Sequence, residues 1–206
     1  HHLEQTEAIR TNSFSCRPES MILNYENVRV LSAIVSKQIR KYYTLGQACL
    51  NIWHFDPENG TVSNLPMTIT DWHLEMHGDI QIYISDAVEK EIQAMADTSP
   101  YKETGGCLFG SYDRDHNSIY VYYMVPAPKD SVHSPSSFVR GFKGLTTEYE
   151  RITKLTYHQV RYLGEWHSHP NMPNTPSDTD KKRFEELWKE QQLQDLPFIQ
   201  MIHGNN

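Results

Sequence analysis

Gly164-Glu165-Trp166-His167-Ser168-His169-Pro170-Asn171-Met172-Pro173-Asn174-Thr175-Pro176-Ser177-Asp178-Thr179-Asp180 is the stretch on which the reading of this chain turns. The run before it, Val160-Arg161-Tyr162-Leu163, is β-prone, which predicts a strand ending in His167 and His169. Side chains two apart on a strand share a face, so both imidazoles can converge on one point. The run after it, Lys181 to Trp188, has helical composition and spacing and places Asp180 in a first helical turn. Two histidines and one carboxylate form a recurring catalytic zinc set that leaves a fourth tetrahedral position open for water. A closed structural site would want a fourth ligand, often cysteine, and none lies nearby. Ser177-x-x-Asp180 ahead of a helix also reads as a capping pattern, with the serine accepting a backbone N–H. Pro170, Pro173 and Pro176 stiffen the connection between the two halves of the set.

These residues resemble the signature of the JAMM (MPN+) zinc metalloproteases. His167-Ser168-His169-Pro170, a spacer running to Pro176, and then Ser177-x-x-Asp180 match that signature, and Glu103 in Glu103-Thr104-Gly105-Gly106 matches its upstream glutamate. Cys107-Leu108-Phe109-Gly110 follows as an expected strand, and the resemblance covers about residues 79 to 206. It implies an α/β (α+β) fold, an MPN/JAB-type sheet flanked by helices and similar to the cytidine-deaminase-like architecture. It also implies Zn2+ held by His167, His169 and Asp180, with Glu103 as general base and Ser177 donating to the oxyanion. Spacing alone points to a different base: Glu165 lies two before His167, on the same strand face. Gly105 and Gly106 present no side chain, so backbone can pack closely beside Glu103.

With 206 residues the chain can build one good core or two small ones. Hydrophobic residues make up 38% and no long apolar run occurs, so no membrane span is expected. The formal charge of −7, without a basic stripe, makes nucleic acid an unsuitable main partner. Cys16, Cys49 and Cys107 are far apart and odd in number, which fits a reducing cytoplasm better than a disulfide framework. No secretory signal pattern is visible, and His1-His2 reads as a tag remnant.

Along the chain, Tyr25 to Leu45 has helical periodicity and Gly46 supplies a stop. Ala48 to Phe55 and Thr61-Val62 read as a hairpin around Asp56-Pro57-Glu58-Asn59-Gly60. Residues 1–66 loosely resemble the closing part of a ThiF-like ubiquitin-activating adenylation domain, in which Cys16 would be the thioester-type cysteine; a nucleotide-binding glycine motif is absent. Residues 67–78 read as a linker, with His73 and His77 in a loop. From Asp79 the expected order is a strand, a helix capped by Asp86, a hairpin over 107–112 and 118–125, and a long loop over 126–141. A helix over 146–158, the strand and helix of the metal set and a last strand at 197–202 complete it, and the comparison implies a truncated C-terminus. His54, His116, His133, His158 and His203 have no ligand-like partners and read as ordinary residues.

The leading functional expectation is an isopeptidase or processing peptidase that cleaves after the C-terminal glycine of ubiquitin or a ubiquitin-like protein. Conjugation-pathway enzymes are expected partners, and by analogy the setting is a bacterial ubiquitin-like conjugation or antiphage system. A peptidase on small adducts of sulfur-carrier proteins and a non-catalytic MPN scaffold are the alternatives.

Overall fold

Short alternating runs punctuated by Gly, Pro and Asn turns build a mixed six-stranded sheet with helices on both faces. The computed structural model describes residues 71–156 and 158–204, together with the backbone of two strands, β1 (Ile52–Asp56) and β2 (Thr61–Leu65). These two pair antiparallel as the expected hairpin. Cys16 and the helix expected over 25–45 lie outside the described residues.

The sheet contains β3 (Trp72–His77), β4 (Ile80–Ser85), β5 (Gly105–Asp113), β6 (Ser118–Pro126), β9 (Arg161–His169) and β10 (Ile199–Gly204). Its order is β10-β9-β5-β6-β4-β3, with β10 parallel to β9, β4 parallel to β6 and the other neighbours antiparallel. The remaining elements are α1 (Asp86–Asp97), the small hairpin β7 (Val132–Ser134) and β8 (Ser137–Val139), α2 (Leu145–Leu155) and α3 (Asp178–Gln192).

Period-two alternation divides the core between the two faces. On one face Leu108, Val121, Leu163 and Trp166 pack under Val88 and Ile92 of α1. On the other, Cys107, Phe109 and Val160 pack under Ile152 of α2, with Tyr122, Tyr149 and Tyr162 at the margin. Burial pushes the Cys107 thiol up to about 12, so this cysteine is an inert core residue. α3 joins through Leu187, a Phe184–Phe198 ring contact and the Gln191 amide, which donates to the Tyr162 carbonyl at 2.6 Å.

Three sequence expectations are corrected here. Trp72–His77 is a strand, not a loop: it pairs antiparallel with β4 across the two-residue turn Gly78-Asp79, with Gly78 at φ +64°. As an edge strand exposed on both faces for most of its length, it carries no apolar alternation to announce it. Second, the cap of α1 is Ser85, whose side chain accepts from the Val88 N–H at 3.3 Å; Asp86 is the first helical residue and pairs with Lys90. Third, the 126–141 segment holds the β7–β8 hairpin around Pro135-Ser136.

Close strand packing makes Gly106 sensitive. A Cβ there would collide with the Val125 carbonyl and stand 2.8 Å from Trp166 Nε1, an indole N–H that is buried and unpartnered among the described residues. Gly106→Ala is expected to destabilise the fold by about 1–3 kcal/mol through overpacking. The measurement is the urea midpoint, with an unchanged slope showing that the effect is on stability and not on compactness.

Candidate metal centre

β9 is buried along its last four residues, and there its alternation sends Trp166 into the α1 core while His167 and His169 face a cleft of ≈ 440 Å³. The chain then turns through Asn171, at φ +57°, and packs its proline segment onto β10. It can do so because residue 204 is glycine: a Cβ there would meet the backbone of Met172, Pro173 and Asn174. α3 therefore starts against the end of β9. The capping reading of Ser177-x-x-Asp180 is observed, and its geometry is compatible with the metal reading. Ser177 Oγ accepts from the Asp180 N–H at 3.2 Å, and Asp180 Oδ2 accepts from the Ser177 N–H at 2.7 Å, a complete capping box. The same carboxylate reaches both imidazoles.

The donor groups of the three residues lie close together, Asp180 turning one oxygen to each imidazole. His167 Nε2 and His169 Nε2 are 3.1 Å apart, Asp180 Oδ1 lies 3.2 Å from His167 Nε2, and Asp180 Oδ2 lies 3.4 Å from His169 Nε2. Ligands at about 2.0–2.1 Å from a tetrahedral ion stand about 3.3–3.4 Å from one another. The donor set therefore fits such an ion. The His169 Nδ1–H donates to the Pro173 carbonyl at 3.1 Å, which leaves Nε2 as the lone-pair nitrogen turned into the donor cluster. Burial holds His167 below its ordinary 6.5, which favours its neutral, lone-pair form near pH 7. Asp180, with its side chain 16% exposed, is pushed up by burial, but the Ser177 hydrogen bonds and the two imidazoles outweigh this and hold it low.

Glu103 lies just ahead of β5 and is 4% exposed. A carboxylate oxygen of Glu103 and nitrogens of His167 and His169 all lie within 4.8 Å of one another. Glu103 is thus a candidate ligand by proximity, but Asp180 makes the shorter contacts to both imidazoles and completes the better donor set. Burial raises Glu103 above the usual carboxylate range, opposed by His169 and reinforced by Asp180. The Glu103 turn is tied to the metal strand next door: Thr104 N–H donates to Ser168 Oγ at 3.0 Å, and Ser168 N–H donates to the Thr104 carbonyl at 2.7 Å. Gly105 lets it approach, since a Cβ there would meet the Trp166 carbonyl and the Phe138 ring.

Glu165, the base favoured by spacing, also lines the cleft, but its Oε1 accepts from Arg140 Nε at 2.5 Å and from the Tyr162 hydroxyl at 3.2 Å. Arg140 and Glu165 are each 12% exposed. The Glu165 carboxylate is thus held by Arg140 and Tyr162 rather than free to face a reacting water. Among the described residues, this leaves Glu103 as the carboxylate beside the donor cluster that has no ion-pair partner. Sequence reasoning did not find the roles of Ser168, Tyr162 and the Pro173 carbonyl: Ser168 meets Thr104 from a distant segment, while Tyr162 and Pro173 act three and four residues from their partners, through the local path of the backbone. Met172 and Trp166 serve as walls of the cleft.

A mixed sheet between helices, carrying two histidines and an aspartate that face one point from a strand end and a helix start, defines a metalloprotease-type enzyme. The chain belongs to the family of prokaryotic homologues of the JAB domain, whose model matches residues 85–204. Among curated proteins it is similar to the CD-NTase/cGAS isopeptidase of Enterobacter hormaechei subsp. hoffmannii, with 28% identity over 141 residues, covering 68% of this chain and 77% of the relative. It is also similar to a probable metalloprotease of Sinorhizobium fredii, 28% identical over 102 residues, covering 49% of this chain and 62% of that protein. Among solved structures, the solution structure of a Desulfitobacterium hafniense protein aligns with a TM-score of 0.37 and 24% identity, over 49% of this chain and 65% of that one. Among the described residues no helix is long and apolar enough to cross a membrane.

Proposed function

We propose that the chain is a zinc-dependent isopeptidase that cleaves after the C-terminal glycine of a ubiquitin-like protein, releasing it from a conjugated protein. The observation that carries this reading is the convergence of His167, His169 and Asp180 at 3.1–3.4 Å, with the Glu103 carboxylate, unpaired among the described residues, beside them. The isopeptidase activity in the name of the Enterobacter relative supports the bond type, and its named target supports a conjugate of a CD-NTase-class protein.

In this reading His167, His169 and Asp180 hold the ion. When bound, zinc supplies Lewis acidity to a carbonyl oxygen and lowers the pKa of water. Glu103 accepts the proton of the attacking water at a carboxylate oxygen and delivers it to the departing lysine amine, and its burial makes it a stronger base than an exposed glutamate. Ser177 Oγ accepts the Asp180 N–H, which leaves its own O–H free to donate to the oxyanion. The β7–β8 hairpin contributes Ser137, Phe138 and Val139 to the cleft wall, and Gln200 of β10 also lines the cleft.

Ser177→Ala is expected to do two separable things. Loss of the oxyanion donor lowers kcat by about 10²–10³. Loss of the cap costs about 1 kcal/mol of stability. Steady-state kinetics at saturating zinc and urea unfolding read the two independently. The reaction itself is tested with a ubiquitin-like domain joined through its C-terminal glycine to the ε-amine of a fluorescent lysine peptide. Cleavage that stops with EDTA and returns with zinc supports the isopeptidase. Turnover confined to a cysteine adduct of a sulfur-carrier protein would favour the small-adduct peptidase, and no turnover of either, with zinc bound, would favour the scaffold.

A further inference from the structure

Both backbone polar groups of Glu103 are engaged by one element, the β7–β8 hairpin. The Glu103 N–H donates to the Ser134 carbonyl at 2.8 Å, and the Glu103 carbonyl accepts from His133 Nδ1 at 2.9 Å. Among the described residues, His133 is the side chain that bonds the Glu103 backbone. Phe138, on the other strand of the hairpin, lies 5.3 Å from the His133 ring, centroid to centroid, and covers Gly105 where a Cβ would otherwise stand. Thr104 is meanwhile fixed to β9 through Ser168. The Glu103–Gly105 turn is therefore clamped from two sides, by the strand that carries the histidines and by the hairpin that walls the cleft.

We propose that His133 is a positioning residue for Glu103: its Nδ1–H holds the carbonyl of Glu103 so that the carboxylate stays beside His167 and His169. The inference rests on the reading of Glu103 as the base. Of the two chain neighbours of Glu103, Thr104 is tied to the histidine-bearing strand, and among the described residues the peptide groups of Glu103 itself bond the hairpin. Without the His133 bond the Glu103–Thr104 peptide is held through the Thr104 N–H alone, and the carboxylate beside it is less tightly fixed. Displacing a catalytic group by about 1 Å costs on the order of 100-fold in rate. His133 contributes nothing to the donor cluster, so metal content is unaffected.

A merely structural role for His133 predicts a different pattern. The hairpin frames the cleft, so loosening it as a whole would weaken substrate binding and raise KM. Misplacing the base lowers kcat at constant KM. The variants are His133→Phe, which keeps a ring against Phe138 but has no donor, and His133→Asn, whose amide can donate from near the Nδ1 position. They are compared with the parent and Glu103→Gln on the isopeptide-linked fluorescent reporter, and by hydrogen exchange of the Glu103 amide in metal-free protein. His133→Phe is expected to lower kcat about 10- to 100-fold with KM within about twofold of the parent. The Glu103 amide should exchange at least about tenfold faster in that variant, and His133→Asn should restore both properties. Parent-like kcat and exchange in His133→Phe would overturn the proposal, as would a raised KM with kcat intact. Should Glu103→Gln keep full turnover, the base reading fails; exchange unchanged in His133→Phe would then sink the positional claim separately. If the parent does not cleave the reporter, the exchange measurement alone decides the clamp.

Discussion

Glu103→Gln is expected to lower turnover by about 10²–10⁴ while bound metal stays at the parent level. The magnitude is that of a positioned general base. The amide keeps the shape of the side chain but cannot accept the proton, and the donor set of His167, His169 and Asp180 does not need it. A second effect has the opposite sign. Burial raises Glu103 above the usual carboxylate range, so the folded protein pays a penalty for the charged form that is present above the folded pKa and relieved as pH falls through it. Glutamine removes that penalty. The metal-free variant should therefore melt higher than the metal-free parent at neutral pH, and the gap should close on acidification. A dead enzyme that is more stable is hard to explain as misfolding. Unchanged turnover in Glu103→Gln, with loss of activity in Glu165→Gln, would transfer the base role to the ion-paired carboxylate.

His169→Ala should abolish zinc binding in any useful range and, with it, turnover. His169 is the best-oriented donor, fixed through Nδ1 by the Pro173 carbonyl. Its loss leaves two donors, and disturbing even the outer partners of a metal ligand costs about 10- to 100-fold in affinity. Zinc at 100 times its Kd should stabilise the parent by about 2.7 kcal/mol, and this increment should vanish in the variant. Acidification acts in the same direction on the metal-free parent. Because burial holds His167 below 6.5, the folded state stays neutral while the unfolded chain takes up a proton as pH falls through that value, and stability declines. Thermal melts with and without zinc, across pH, check each part.

The convergence of His167, His169 and Asp180 was legible because its logic is local. A strand places residues two apart on one face, and a helix start places Asp180 beside Ser177, so the spacing of a few residues carries the geometry. The observed cap at Ser177-x-x-Asp180 is compatible with a carboxylate turned toward both imidazoles, since a cap orients the carboxylate it recruits. What spacing could not carry was partnership across the sheet. Spacing favoured Glu165 over Glu103, but Arg140, from another segment, and Tyr162, three residues back on the same strand, close around it. His133 read as an ordinary loop histidine because its partner is a backbone carbonyl thirty residues away. β3 escaped notice for a different reason: an edge strand with both faces exposed has no burial to impose alternation on its sequence. The boundary of α1 slipped by one residue because Ser85 and Asp86 are both good caps, and only the hydrogen bond to Val88 separates them.

The most direct test is the zinc content per chain, by elemental analysis, of the protein as purified from zinc-supplemented cells and of His169→Ala prepared alongside it. The three converging donors predict about one zinc in the parent and close to none in the variant. No zinc in either protein, or the same amount in both, would contradict the metal centre and leave Ser177 and Asp180 as a helix cap alone.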